Sequence, residues 1–149
     1  MVEGDGEQVD WFDELVGEIR EWHNTVLDAS GGRSGENTAR LLGACGRAFQ
    51  GFGTEQFYPT EIDKAAALFH GIICDHAFVD GNKRTATMTA ILFLVARGTI
   101  EPRPTNLMVR FLGDLAIETA TPPHLGVEEI ATWLSRIFCD LFPVVKDRD

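Results

Sequence analysis

Apolar residues recur every three or four positions through most of the chain and alternate almost nowhere, a pattern that commits it to helices packed by one face. Val9, Phe12, Leu15, Val16, Ile19, Trp22 and Val26 form the first stripe, which Ser30-Gly31-Gly32 closes. Leu41, Leu42, Cys45 and Phe49 continue the period in a second helix over 37–48, weakened by Gly43 and Gly46. Thr60, after Pro59, is a good N-cap for a third helix whose stripe is Ile62, Ala65, Ala66, Phe69, Ile72 and Ile73 and which ends near Asp75. Residues 82–97 read as a nearly all-apolar fourth helix, stopped by Gly98 and the Pro102/Pro104 segment; a helix of that kind belongs at the centre of a molecule. A fifth follows from Leu107, Phe111, Leu112, Leu115 and Ile117, broken by Pro122-Pro123, and a sixth from Ile130, Trp133, Leu134, Ile137, Phe138 and Leu141.

Between the second and third helices, residues 49–58 hold two glycines and four aromatics without a helical period, the mark of a loop or a short hairpin. Strand signals are otherwise few, so the expected fold is an all-α bundle of about six helices. A length of 149 residues suits one core, expected over 9–143 with tails at 1–8 and 144–149.

Composition narrows the function classes. Hydrophobic residues at 44% and charged residues at 24% exclude a disordered acidic chain and a collagen-like repeat. The 13 cations and 23 acids leave a formal charge of −10, which repels nucleic acid and anionic membranes and favours a basic protein partner. Neither a nucleic acid nor a membrane is therefore an expected direct partner. The longest apolar run, 90–96, is far shorter than the roughly 20 residues that span a bilayer. Residues 1–7 are acidic and lack the features of a secretory signal, while Cys45, Cys74 and Cys139 make no CxxC; a reducing, cytoplasmic setting is expected. Cys74, close to the loop discussed next, reads as a buried thiol rather than a reactive one.

Residues 76–84, His-Ala-Phe-Val-Asp-Gly-Asn-Lys-Arg, gather a titratable base, a hard oxygen ligand, a glycine and two cations between two helices. The start of the fourth helix presents unpaired N–H groups and the positive end of a dipole, which suit an anion. Gly81 permits close backbone approach, Asn82 carries an amide donor, and Lys83 and Arg84 add charge for phosphate oxygens. Asp80 fits a Mg²⁺ ion, which takes one or two carboxylates and completes its shell with water and phosphate. An ordinary histidine titrates near about 6.5, so a neutral His76 can accept a proton from an attacking hydroxyl. Phe78 reads as the anchor that holds the loop's shape.

Taken singly, these residues also read as helix caps, turn residues and solvated charges. That reading leaves a basic pair at a helix start unexplained, since the dipole there disfavours cations. A Walker A loop is absent, because GxxxxGK[ST] after a strand does not occur. A metal-hydrolase cluster of His70, Asp75, His76 and Asp80 lacks HExxH or comparable spacing.

Residues 76–85 resemble the HxFx[D/E]GN[G/K]R signature of Fic-domain proteins, and the ending Asn82-Lys83-Arg84-Thr85 is closest to the death-on-curing, or Doc, toxin branch. The resemblance continues in Tyr58-Pro59-Thr60 before 64–68, in Phe93-Leu94 before Gly98 and in 128–134, and covers residues 19–138. It implies a compact all-α fold and transfer of a phosphate-containing group from a nucleotide to a protein hydroxyl with Mg²⁺. Carried over by position, His76 is the base, Asp80 the metal ligand, Phe78 the structural anchor, and Gly81, Asn82, Lys83 and Arg84 the phosphate nest. Residues 49–58 match the family's flap, with Phe52, Gly53, Thr54 and Glu55 at the edge that aligns an extended target segment.

The chain departs from the AMP-transferring members at two positions: Lys83 replaces their glycine and Thr87 their second arginine. Ala77 replaces a frequent proline, and Gly81 an alanine found in some Doc-like toxins. The lysine form goes with phosphate transfer from ATP, for which the branch implies elongation factor Tu as target and arrested translation as outcome. AMP transfer and a silent nucleotide-binding module stand as alternatives. Self-restraining Fic proteins carry [S/T]xxxE[G/N]; here Gly32 precedes the step Glu36-Asn37 by four residues from Glu36, so an antitoxin in trans is the expected partner.

Overall fold

A computed structural model describes residues 3–101 and 105–141. Six α-helices follow one another: α1 Glu3–Ser30, α2 Thr38–Arg47, α3 Glu61–Cys74, α4 Asn82–Ala96, α5 Asn106–Ala120 and α6 Val127–Ser135, which runs into a π-helical turn over Arg136–Leu141. Strands β1 Gly51–Phe52 and β2 Glu55–Gln56 form a short hairpin at the place of the expected flap, pairing Gly51 with Gln56 and Phe52 with Glu55. The fold is thus the all-α bundle that the periodicity predicts, with the hairpin as its two-stranded exception. Among the described residues no helix is long and apolar enough to cross a membrane. Pro102, Pro104 and the expected tail at 144–149 lie outside the described residues, and α1 begins at Glu3, ahead of the first apolar position of its stripe.

Local chemistry sets the boundaries. Asn37 caps α2 by accepting from the Arg40 N–H at 3.0 Å, Thr60 caps α3 through Asp63 at 3.0 Å in a capping box, and Thr105 caps α5 through Met108 at 3.1 Å. Helix α3 is the hub, packed on α2, α4, α5 and α6, while α4 also meets α1 and α5. Leu68, Phe69 and Ile72 of α3, Leu94 of α4, Leu112 of α5 and Leu134 of α6 are fully buried around it, with Phe138 beneath. The fourth helix buries Thr85, Ala86, Thr89, Ala90 and Leu94, but the central place predicted for it falls to α3, because one side of α4 opens on a groove.

Several expected stripe residues face outward instead. Leu42, Leu107, Phe111, Ile117, Trp133 and Leu141 are exposed, and the core takes Ala44, Met108, Ala116 and Thr119 in their stead. On α5 the buried face follows the i, i+4 ladder Met108, Leu112, Ala116, whereas Val109 and Ile117 line a surface groove against α4. Two apolar faces on one helix cannot be separated by periodicity alone.

Close approach of α2 to α3 depends on Gly71. A Cβ there would lie 2.7 Å from the Ala44 Cβ, inside contact distance. Gly71→Val should therefore cost about 1–3 kcal/mol through overpacking. Gly17→Ala, where an added Cβ meets nothing within 4 Å, should instead gain about 0.5–1 kcal/mol from helix propensity. Denaturant melts of the two variants, read by circular dichroism, check the opposite signs.

Candidate functional site

The loop between α3 and α4 must leave one buried helix and enter another while satisfying its own backbone. After the C-cap Asp75, His76 takes a φ of 51°, the one positive value at a non-glycine residue among those described. The chain then runs antiparallel to residues 35–37: Ala77 O accepts the Asn37 N–H at 2.8 Å, and the Val79 N–H donates to Gly35 O at 2.9 Å. Phe78, between them, is buried with its ring stacked on His23 at 3.9 Å and 9°. The Asn82 amide closes on the Phe78 peptide from the other side, accepting its N–H at 2.9 Å and donating to its carbonyl at 2.8 Å. Phe78 is thus buried, stacked and hydrogen-bonded on both sides of its peptide. The Asn82 side chain is occupied by this clamp, which leaves its backbone N–H as the group it can turn to an anion.

His23 is itself buried, and its Nε2 donates to the Asp80 carbonyl at 2.7 Å, since a carbonyl can only accept. Arg20, one turn earlier, grips Glu36 through two contacts of 2.8 Å, and Thr38 donates to the same carboxylate at 2.8 Å. Those hydrogen bonds, the Arg20 one foremost, hold the Glu36 carboxyl below the usual range. Glu36 is thus bound to α1 and not to Arg84.

At the start of α4, Gly81 has a φ of 80° and provides no side-chain cap. Helical bonding begins with the Thr85 N–H donating to Gly81 O at 2.9 Å, so the N–H groups of Asn82, Lys83 and Arg84 have no helical acceptor. Lys83 is exposed. The Arg84 guanidinium rests on Ser30 Oγ and, at 3.4 Å, on Gly31 O at the carbonyl end of α1. Asp80 accepts the Gly81 N–H at 2.9 Å on one oxygen and the Arg33 N–H at 3.1 Å on the other. The Arg33 and Gly81 N–H groups pull its pKa down and keep it ionised. Gly32, with a φ of 128°, makes room for it: a Cβ there would come 3.0 Å from Asp80 Oδ2.

Two hollows flank the loop. One of about 820 Å³ runs between α4 and α5 and is lined by residues 80–84, by Met88, Ile91 and Ile117, and by Arg110 and Asp114. The other, of about 480 Å³, lies between α2 and the end of α3 and holds His76 with Arg40, Arg47, Cys74 and Asp75. They share no lining residue. The expected base and the expected phosphate nest therefore belong to one loop but open on different hollows.

The flap residues Phe52, Gly53, Thr54 and Glu55 are all exposed, with Phe52 at 83%. Buried Lys64 ties the exit of the flap to α3 by donating to Tyr58 O at 2.7 Å and Pro59 O at 3.3 Å. Burial raises the Cys74 pKa, which keeps it a thiol. His70, Asp75, His76 and Asp80 form no ion cage: among the described residues no three His, Cys, Asp or Glu groups are placed to hold a metal together. Sequence patterning gives Arg20, His23, Gly32 and Arg33 no part in the site. The one available signal is that His23 falls on the buried Ile19–Val26 stripe, where a polar side chain needs a partner.

Two outcomes follow from this geometry. Asn82→Asp exchanges a donor for an acceptor facing Phe78 O and should cost about 1–3 kcal/mol, read as faster hydrogen exchange at the Phe78 amide. Asp80 has a lowered folded pKa, so its contribution to loop order is complete above the ordinary carboxylate range and disappears as pH falls through the lowered value. Carboxyl carbon shifts should show Asp80 titrating below that range, with the Arg33 amide following the same curve.

A sequence model of the Fic/DOC family matches residues 11–94, from α1 through the flap and the loop into α4. A stretch of 41 residues is 54% identical to the protein named Toxin Doc of Mycolicibacterium smegmatis, covering 28% of this chain and 32% of that relative. The chain thus aligns with about a third of the length of that relative. With the all-α fold and a family match over more than half of its residues, the chain belongs to the Fic/DOC family.

Proposed function

We propose that the protein is a Doc-like toxin that transfers the γ-phosphate of ATP to a hydroxyl of a target protein. The observation that carries this reading is the uncapped start of α4, where three N–H groups, Lys83 and Arg84 converge beside an ionised Asp80. Phosphate oxygens match that set by charge and by hydrogen bonding. The donor chemistry also fits Mg²⁺: Asp80 offers a hard carboxylate, and the ion's other ligands come from water and phosphate. When bound, Mg²⁺ would neutralise charge on the phosphates.

His76 takes the proton of the acceptor hydroxyl as the new O–P bond forms. The bond from the γ-phosphorus to its bridging oxygen breaks, and ADP leaves with the electron pair. Gly81, Asn82, Lys83 and Arg84 hold the phosphate for in-line attack, and Phe78 keeps base and nest at fixed spacing. The flap, through Phe52, Gly53, Thr54 and Glu55, offers main-chain groups to an extended target segment.

Phosphate transfer is favoured over AMP transfer by Thr87. Its hydroxyl is buried and donates to Lys83 O at 3.1 Å inside α4, so it supplies no charge where AMP-transferring relatives place an arginine. Restraint then falls to an antitoxin in trans, because Glu36 is held by Arg20. By resemblance to the Doc branch the target is elongation factor Tu, modified in the cytoplasm by a single domain over 9–143.

Purified protein incubated with lysate should move label from the γ-position of ATP into the target and leave α-label in solution. His76→Ala should lower the rate by about 10²–10⁴ while circular dichroism keeps its helical signal. Entry of α-label with a nucleotide-sized mass gain would replace this reading with AMP transfer, and label in neither position would leave a nucleotide-binding module.

A further inference from the structure

The hollow that holds His76 carries charge of its own. Arg40 and Arg47 lie two turns apart on α2, on one face of the helix, and both line it. Arg47 is paired with Asp75. The Arg40 guanidinium has no partner among the described residues; only its backbone N–H is engaged, by the Asn37 cap. With Asp75 answered by Arg47, Arg40 is the surplus charge, and it is positive in a chain whose formal charge is −10. Gly43, between the two arginines, and Ala39 leave room for a side chain to enter: a Cβ built at Gly43 meets nothing within 4 Å. Arg47 is also the last residue of α2, which leads within a few residues into β1 of the hairpin proposed to align the target.

From these placements we propose that Arg40, assisted by Arg47, is a specificity determinant that takes an aspartate or glutamate side chain of the target next to the hydroxyl to be modified. The inference rests on the proposed transfer reaction and names the acceptor it selects. A guanidinium recognises a carboxylate by paired hydrogen bonds as well as by charge. The negative field of the chain as a whole disfavours an acidic segment, so on the His76 side of the loop such a segment gains where Arg40 stands. The nucleotide is held on the other side of the loop, and its binding should not depend on Arg40.

The test uses three short synthetic peptides alike except for the residues flanking one threonine, which are Asp, Asn or Lys. Binding is followed by NMR through the His76 ring and Arg40 side-chain signals of the whole protein, with the fold of every variant checked by thermal melting. The Asp peptide should shift both sets of signals and bind about tenfold more tightly than the Asn peptide. Arg40→Glu should weaken the Asp peptide by about tenfold and strengthen the Lys peptide. Gly43→Leu fills the hollow without changing a charge and should weaken the Asp peptide while the protein stays folded. ATP should not displace the Asp peptide.

Equal binding of the Asp and Asn peptides, binding of neither, or indifference to Arg40→Glu overturns the inference, as does competition by ATP, which would give the hollow to the nucleotide. A lysate reaction separates this failure from that of the transfer reading. If the parent protein labels a target, Arg40→Glu should raise KM for that target by about tenfold and leave KM for ATP unchanged. If the peptides discriminate as expected and no label moves, the transfer reading fails and the carboxylate subsite stands.

Discussion

The site depends on the capture of one aromatic ring. Phe78 is stacked on His23 and its peptide is clamped by the Asn82 amide, which turns a loop between two helices into a fixed element. The same contacts solve a backbone problem, because a loop this close to the core must find partners for its polar groups. Residues 35–37 supply two of them, and the Arg20–Glu36 pair holds that segment against α1. Order therefore passes from α1 through Glu36 to Phe78, and from Phe78 to Asp80 and Gly81. Helix α1 contributes to the core with Ile19 and Val26 and to the site with Arg20 and His23.

Charge is settled locally against the grain of the whole chain. A basic pair at the start of a helix opposes its dipole. Arg84 is answered by the carbonyl end of α1, whose Gly31 O and Ser30 Oγ face its guanidinium. The negative pole of one helix is thus brought to the cationic start of another. Lys83 receives no such answer among the described residues, and the backbone N–H groups beside it are also open. What remains unbalanced there is positive and sits at a concave surface, which is the condition under which an anion gains from entering.

The helices were legible because their signals are local: Asn37, Thr60 and Gly81 stand at helix starts, Leu15, Val16, Ile19 and Val26 of the α1 stripe are buried, and so is most of the α3 stripe. Motif residues were legible for the same reason, since residues 76–84 are contiguous. Contacts across long stretches of sequence were not. His23 meets Asp80 over 57 positions and Arg33 meets Asp80 over 47; Arg33 belongs to no periodic pattern, and the place of His23 on the α1 stripe says that it needs a partner without saying which. On α5 the error had a different source. Ile117 is apolar without being core because it lines the groove along α4, and Leu107 and Phe111 are exposed outside that groove.

Contiguity in sequence also hides which side of a loop a residue serves. Left-handed backbone at His76, with a φ of 51°, and at Gly81, with a φ of 80°, brackets the segment and turns the chain at both ends. His76 is delivered to the hollow under α2, and residues 80–84 to the groove between α4 and α5. The proposed phosphate transfer suits such a division, because in-line transfer places the acceptor hydroxyl and the leaving ADP on opposite sides of one phosphorus. The loop can serve as the partition only if it does not move as the substrates arrive. The Phe78 clamp gives it that fixity, so in the proposed reaction this buried residue acts through position, while the exposed His76, Lys83 and Arg84 face the two hollows.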